Sequence, residues 1–202
     1  MRLLVDTDIF CKLSVAGLFD EAVLALGVDQ SECGRLPALP HMLRRGRLRS
    51  RYGDAVSDAL IPMAYALPTM PSANAEWLDK LAGIPDIDPG EAQLFALAAQ
   101  GQLIAASGDK RALRAIKDIP EVRDALAGRL VVLEAMLIRL CDEHGVSAIQ
   151  ARIDPIGTVD TVIQVCFSSG SADPVSGLLS YYDSLTRELA PLELWKPRSE
   201  AT

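Results

Sequence analysis

Three short, wholly apolar runs constrain this chain most: Leu3-Leu4-Val5, Ile104-Ala105-Ala106 and Leu130-Val131-Val132-Leu133. None alternates apolar with polar residues, as a strand with one wet face does. Runs of this kind suit strands buried on both faces, the situation in a parallel sheet covered by helices. The segments around them read as helix. From Asp8, apolar residues recur at Ile9, Leu13 and Ala16, then at Leu18, Ala22, Val23 and Leu26, with Gly17 and Gly27 as stops. Residues 54–67 and 74–82 carry helical patterns separated by Pro68 and Pro71. Asp88-Pro89-Gly90-Glu91 opens another helix that ends near Gly101. Strand 103–106, helix 110–117, strand 130–133 and helix 134–144 then alternate, and a weaker strand is expected near Cys33 to Leu39.

Alternation of this kind predicts an α/β fold with a parallel sheet. It stops at Gly145, beyond which residues 146–153, 159–167 and 174–189 read as helix, divided by Pro155-Ile156-Gly157 and Ser168-Ser169-Gly170-Ser171. The expected organisation is an α/β domain over residues 1–145 and a helical extension over 146–202 packed on it. With 202 residues, half of them apolar, the chain can bury a proper core, which excludes a wholly disordered chain. No apolar run approaches the roughly 20 residues of a membrane span. The first run turns acidic at Asp6, too early for the apolar region of a signal peptide, so a cytoplasmic protein is expected. Cys11, Cys33, Cys141 and Cys166 form no C-x-x-C pair and only His41 and His144 accompany them, so buried reduced thiols are expected rather than zinc ligands.

In open parallel sheets, functional residues gather beyond the carboxyl ends of the strands. Asp6 directly follows the first run, and Asp109 follows the second after Ser107-Gly108. Glu91 opens the helix that leads into that second run. Carboxylates brought together repel one another unless a cation lies between them, and hard oxygen ligands suit Mg²⁺ or Mn²⁺. Such sites hydrolyse phosphodiesters, because the metal lowers the pKa of a water and neutralises charge on the phosphate. Asp8 suits either a further ligand or a helix N-cap. Glu91 and Asp109 also have structural readings, Glu91 in a capping box with Asp88 and Asp109 as the N-cap of helix 110–117. Arg44, Arg45, Arg47, Arg49 and Arg51 form a basic cluster in a chain whose net charge is -7. A phosphate backbone takes such a patch, a solvated helix face explains it equally, and Tyr52 beside it suits stacking on a base.

At these residues the chain resembles the PIN-domain nucleases. The resemblance rests on Leu4-Val5-Asp6-Thr7-Asp8-Ile9-Phe10, on Gly90-Glu91-Ala92 with its Leu/Ala-rich helix, and on Ser107-Gly108-Asp109-Lys110, and covers about the first 135 residues. It implies a three-layer α/β/α sandwich with a mostly parallel sheet and Mg²⁺- or Mn²⁺-dependent hydrolysis of RNA. By resemblance Asp6, Glu91 and Asp109 are the catalytic metal ligands, with Asp8 beside them. Many members are toxins held by an antitoxin and many dimerise, so an antitoxin-like partner and a homodimer are further implications. The chain departs from the family where a further acid usually follows the second strand: here the sequence reads Pro37-Ala38-Leu39-Pro40-His41-Met42-Leu43-Arg44. That departure opens an alternative, a degenerate PIN-like module that binds RNA or a protein without cutting. A third reading takes Asp6-Thr7-Asp8 as the opening of a haloacid-dehalogenase phosphatase, but Phe10 and Leu113 stand where that family has other residues.

Overall fold

In a computed structural model, residues 1–168 and 173–197 are described. The Ser169-Gly170-Ser171 part of the expected turn lies outside the described residues. Four parallel strands, β1 (Leu3–Val5), β2 (Cys33–Arg35), β3 (Ile104–Ala106) and β4 (Leu130–Val131), form one sheet in the order β2-β1-β3-β4. Parallel neighbours cannot be joined by a tight turn, so each connection crosses over through helix. The helices are α1 (Thr7–Val15), α2 (Phe19–Ala25), α3 (Leu39–Arg44), α4 (Arg47–Tyr52), α5 (Asp54–Ala66), α6 (Ala75–Leu81), α7 (Pro89–Gly101), α8 (Lys110–Ile116), α9 (Pro120–Leu126) and α10 (Leu133–His144). Beyond them lie α11 (Val146–Gln150), α12 (Asp154–Gly157), α13 (Thr161–Cys166) and α14 (Pro174–Leu189). The protein is thus an α/β protein with a four-stranded, all-parallel sheet flanked by many helices, and no described helix is long and apolar enough to cross a membrane.

The apolar runs become strands because both their faces are covered: Leu3, Leu4, Val5, Ala105, Ala106, Leu130 and Val131 are all buried. Both sheet edges are covered as well. Thr69 bridges to Arg35 beside β2, and Leu194 bridges to Leu130 beside β4, so neither outer strand offers a bare row of peptide groups there. The second strand is shorter than the sequence suggests. It stops at Arg35, because Pro37 has no amide to extend a ladder and Pro40 falls in the first turn of α3, where its missing amide costs nothing. Arg35 itself is buried, its Nε donating to the Ala64 carbonyl at 2.5 Å and its Nη1 to the Leu36 carbonyl at 3.1 Å.

The helices after Gly145 pack back on the earlier elements, α14 against α10 and α12 against α1, and one continuous hydrophobic cluster runs from Leu3 to Leu194. Charge ties the two parts together. Lys12 of α1, its side chain 8% exposed, sits 2.5 Å from Asp8 and 2.7 Å from Asp160, the N-cap of α13. Arg152 reaches from the turn after α11 to Glu21 of α2 at 2.8 Å and to the Gly17 carbonyl. Burial tends to push the Asp160 carboxyl up, but Lys12 and the amide of Ile163 hold it below the usual carboxylate range.

Removing one member of a buried ion pair leaves the other charge unpaired, which costs about 3–5 kcal/mol. Lys12→Ala is therefore expected to destabilise the protein by roughly that amount in urea denaturation, and Lys12→Ala combined with Asp160→Asn by clearly less than the sum of the two single variants. Because Asp160 titrates below its ordinary range, its contribution is present at neutral pH and is lost as pH falls through its folded-state pKa.

Candidate active site

The register of the sheet determines which residues meet. Val5 pairs with Ala106, and the Asp6 amide donates to the Ala106 carbonyl at 2.9 Å, so the ends of β1 and β3 lie level. From there Asp6 and Asp8 come off β1, Gly108 and Asp109 off β3, and Leu36, Pro37 and Ala38 off β2. The N-terminus of α7 brings Glu91 to the same place, and α4 brings Arg47 and Arg51. Together they line one cleft of about 660 Å³ at the carboxyl ends of the strands. All four acids singled out in the sequence thus share one cleft. At the end of β2 its wall is apolar.

Within the cleft the acids fall into two pairs. Asp6 and Asp8 form the first. Asp6 occupies the N-cap position of α1, but its side chain closes no capping hydrogen bond. Burial pushes its carboxyl up to about 6, the charge of Asp8 adds to the effect, and the amides of Thr7, Gly108 and Asp8 pull the other way. Asp8 is the second residue of α1, in its first turn, so it is not the cap. Its carboxylate is already countered, by Lys12 at 2.5 Å and by Arg51 at 3.1 Å. Gly108 passes so close that a Cβ there would stand 2.8 Å from the Asp8 Oδ2.

Glu91 and Asp109 form the second pair. Each carries its expected capping role. Glu91 Oε2 accepts from the Asp88 amide at 2.8 Å while Asp88 Oδ1 accepts from the Glu91 amide at 2.9 Å, a complete capping box. Asp109 Oδ1 accepts from the amides of Arg111 and Ala112 at 2.8 and 3.2 Å. Their carboxyl groups also lie close enough to interact with each other. Burial, opposed by the Asp88 amide, raises Glu91, and the charges of Asp109 and Asp88 push it higher. Burial acts on Asp109 in the same direction, yet the amides of Ala112 and Arg111, the proton of Glu91 and the Arg111 guanidinium 3.3 Å away hold it down. Two carboxyl groups in contact cannot both ionise cheaply, so this pair shares one proton, carried by Glu91.

Among the described residues no three or more His, Cys, Asp or Glu side chains converge closely enough to form a ready-made metal cage. Mg²⁺ does not require one: it is commonly held by one or two carboxylates, with water and substrate phosphate completing the shell. The all-oxygen Glu91–Asp109 pair, with Asp6 across the same cleft, fits that pattern.

The arginine cluster divides by role. Arg49 pairs with Asp54 and Asp58, both at 2.7 Å, and serves the junction of α4 and α5. Arg44 stacks over Tyr65 at 5.3 Å. Arg51 bridges Asp8 and the Val159 carbonyl, the latter at 2.6 Å. Arg47 lines the cleft, and Arg45 is exposed beside it. Tyr52 is half-buried and its hydroxyl is enclosed without a hydrogen-bond partner among the described residues, which does not suit base stacking. Sequence reading missed Lys12, Arg111 and Asp160. Lys12 was detectable, since a lysine four residues after an aspartate on a helix is a standard pairing distance. Compared with known proteins, the chain matches no family model, no curated protein and no solved structure.

The Asp6 carboxyl has a sharp consequence for stability. A carboxyl whose folded-state pKa lies above its ordinary value costs stability once ionised, so the cost grows as pH rises from 3.8 to about 6 and is constant above that. Asp6→Asn is expected to raise the stability of the metal-free protein at neutral pH by on the order of 1–3 kcal/mol. The gain should vanish near the lower end of that pH range. Melting curves of the two proteins across it provide the check.

Proposed function

We propose that this chain is a PIN-like, divalent-metal-dependent endoribonuclease whose parallel sheet forms the middle layer of an α/β/α sandwich. One observation carries the reading: Asp6, Glu91 and Asp109 line a single cleft at the carboxyl ends of parallel strands, with Arg47 and Arg51 on the same cleft. The four buried, free cysteines agree with a reducing, cytoplasmic setting.

In this reading Glu91 and Asp109 hold Mg²⁺ or Mn²⁺, with Asp6 as the third acid. When bound, the ion supplies an acidified water and neutralises charge building on the phosphate. The chain's own residues do the rest. Glu91 gives up its shared proton when the site is loaded, so the capping box presents a full carboxylate without moving the helix start. Asp6, kept basic by its burial, is placed to accept a proton from attacking water. Arg47 offers its guanidinium to a backbone phosphate, which takes two parallel hydrogen bonds. Asp8 acts through Lys12 and Arg51, as a positioning residue that fixes α1 and α4 relative to each other.

A specific observation favours the second reading, a binding module that does not cut. Asp8 and Asp109 are each paired with a protein cation, and the end of β2 contributes only Leu36, Pro37 and Ala38 to the cleft. Such a module binds RNA through the arginines and needs no metal.

Incubation of labelled single-stranded and structured RNAs with Mn²⁺ or Mg²⁺ separates the two. Cleavage that EDTA stops, and that falls by at least about 100-fold in Asp6→Asn and Asp109→Asn, is expected for the nuclease, each carboxylate acting in the transition state. RNA binding without cleavage establishes the module. A second measurement is independent of activity. Metal must displace the proton held by Glu91, so the Mn²⁺-induced rise in melting temperature should weaken as pH falls below about 8, and Glu91→Gln should abolish that dependence.

A further inference from the structure

The acid pair does not end the groove. Asp86, Asp88, Glu91, Asp109 and Arg111 line a smaller hollow of about 230 Å³ that shares Asp88, Glu91 and Asp109 with the main cleft. That hollow in turn shares Asp86 and Arg111 with a third, of about 450 Å³, bounded by the loop before α7 and by α8. The third hollow is lined by the apolar side chains of Ile84, Pro85, Ala115 and Ile119 together with Arg111, Arg114, Asp86 and Asp118. On the opposite side, the main cleft runs past Arg47 and Arg51 into a further hollow along α4. The hollows therefore adjoin one another through shared residues, with carboxylates in the middle and arginines on both flanks.

We propose that the third hollow is a nucleotide subsite of the same groove, holding the base and phosphate that lie beyond the acid pair on the side away from α4. The occupant is a single-stranded RNA segment, and the inference rests on the reading of the cleft given above. Three properties fit that occupant. Half of its lining residues are apolar, which suits the face of a base, and arginine planes stack on bases. Arg111, its side chain 70% exposed, stands at the boundary between the acid pair and the hollow, where the connecting phosphate passes. The carboxylates of Asp86 and Asp118 can accept hydrogen bonds from amino groups on a base edge. Arg114 is paired with Glu188, which fixes that side chain in the lining. Asp86 adopts φ 67°, a left-handed conformation that side chains seldom take, at the lip shared by the two hollows.

The inference also identifies the substrate as a strand rather than a mononucleotide. Both flanks contribute to binding, and the phosphodiester at the acid pair is an internal one.

Fluorescence anisotropy of a labelled single-stranded RNA in EDTA tests this without cleavage. Two variants alter the hollow and leave the acids alone: Ala115→Phe, which fills it, and Pro85→Glu, which puts a negative charge on its exposed rim. Each is expected to weaken binding about 10-fold, the loss of one stacked base. Arg47→Ala, on the other flank, serves as the comparison. Variants that melt like the wild type but bind RNA as tightly as it does, while Arg47→Ala binds more weakly, overturn the subsite and leave the reading of the cleft standing. Failure of the wild type to bind the RNA at all overturns both. Should Ala115→Phe unfold, Pro85→Glu alone decides, because Pro85 is exposed.

Discussion

The pairing of β1 with β3 is the contact on which the cleft depends. Each strand is only three residues long, so the register rests on few hydrogen bonds, among them the Asp6 amide to Ala106. A slip of one residue would turn every buried side chain of β1 to the opposite face and carry Asp6 away from Gly108. Burial prevents this, since Leu3 and Leu4 have no exposed surface and Val5 almost none. The loop after β3 then has to pass close to α1. Gly108 allows it, because any side chain there would collide with the Asp8 carboxylate.

That crowding brings like charges together, and the structure resolves it unevenly. On one side of the cleft the charges are neutralised from within. Lys12 joins Asp8 to Asp160, Arg51 joins Asp8 to the Val159 carbonyl, and Lys110 pairs at 2.9 Å with Glu134, which is 2% exposed. The first two contacts attach the C-terminal helices to the carboxyl end of the sheet, and the third joins α8 to α10. On the other side Glu91 and Asp109 face each other with one proton between them, and Asp6 stays unpaired. The arrangement separates Asp8, countered by two cations, from Glu91 and Asp109, whose like charges are pressed together.

Much of the fold was legible because it depends on local pattern. The three apolar runs became β1, β3 and β4 to within about two residues, and the capping box at Asp88 and Glu91 and the cap at Asp109 form as their spacing suggests. The end of β2 was less legible, because Cys33 to Leu39 is apolar enough for a strand, while Pro37 and Pro40 forbid the ladder. At the site, the acids were legible as residues but not their partners. Asp160 lies 148 residues from Lys12, a distance no periodicity spans. The arginine cluster was legible as charge alone, and only the packing of α4 on α5 shows that Arg49 is committed to Asp54 and Asp58 rather than to a ligand.

The distribution of strain bears on what the cleft does. A protein needing only a stable fold gains nothing from burying Asp6 without a counter-ion among the described residues or from pressing Glu91 against Asp109; asparagine and glutamine would occupy similar space without the repulsion. Capping does not account for it either, since Asp109 caps α8 through the same oxygen that asparagine would supply, and Asp6 closes no cap at all. Local rules are broken here, at the carboxyl ends of the strands, while the capping of α7 and α8 obeys them in the same residues. Departures of that kind concentrate at functional sites, where unsatisfied charge awaits a ligand. In the proposed nuclease reading a divalent cation would relieve the repulsion within the pair and give Asp6 an opposite charge to face.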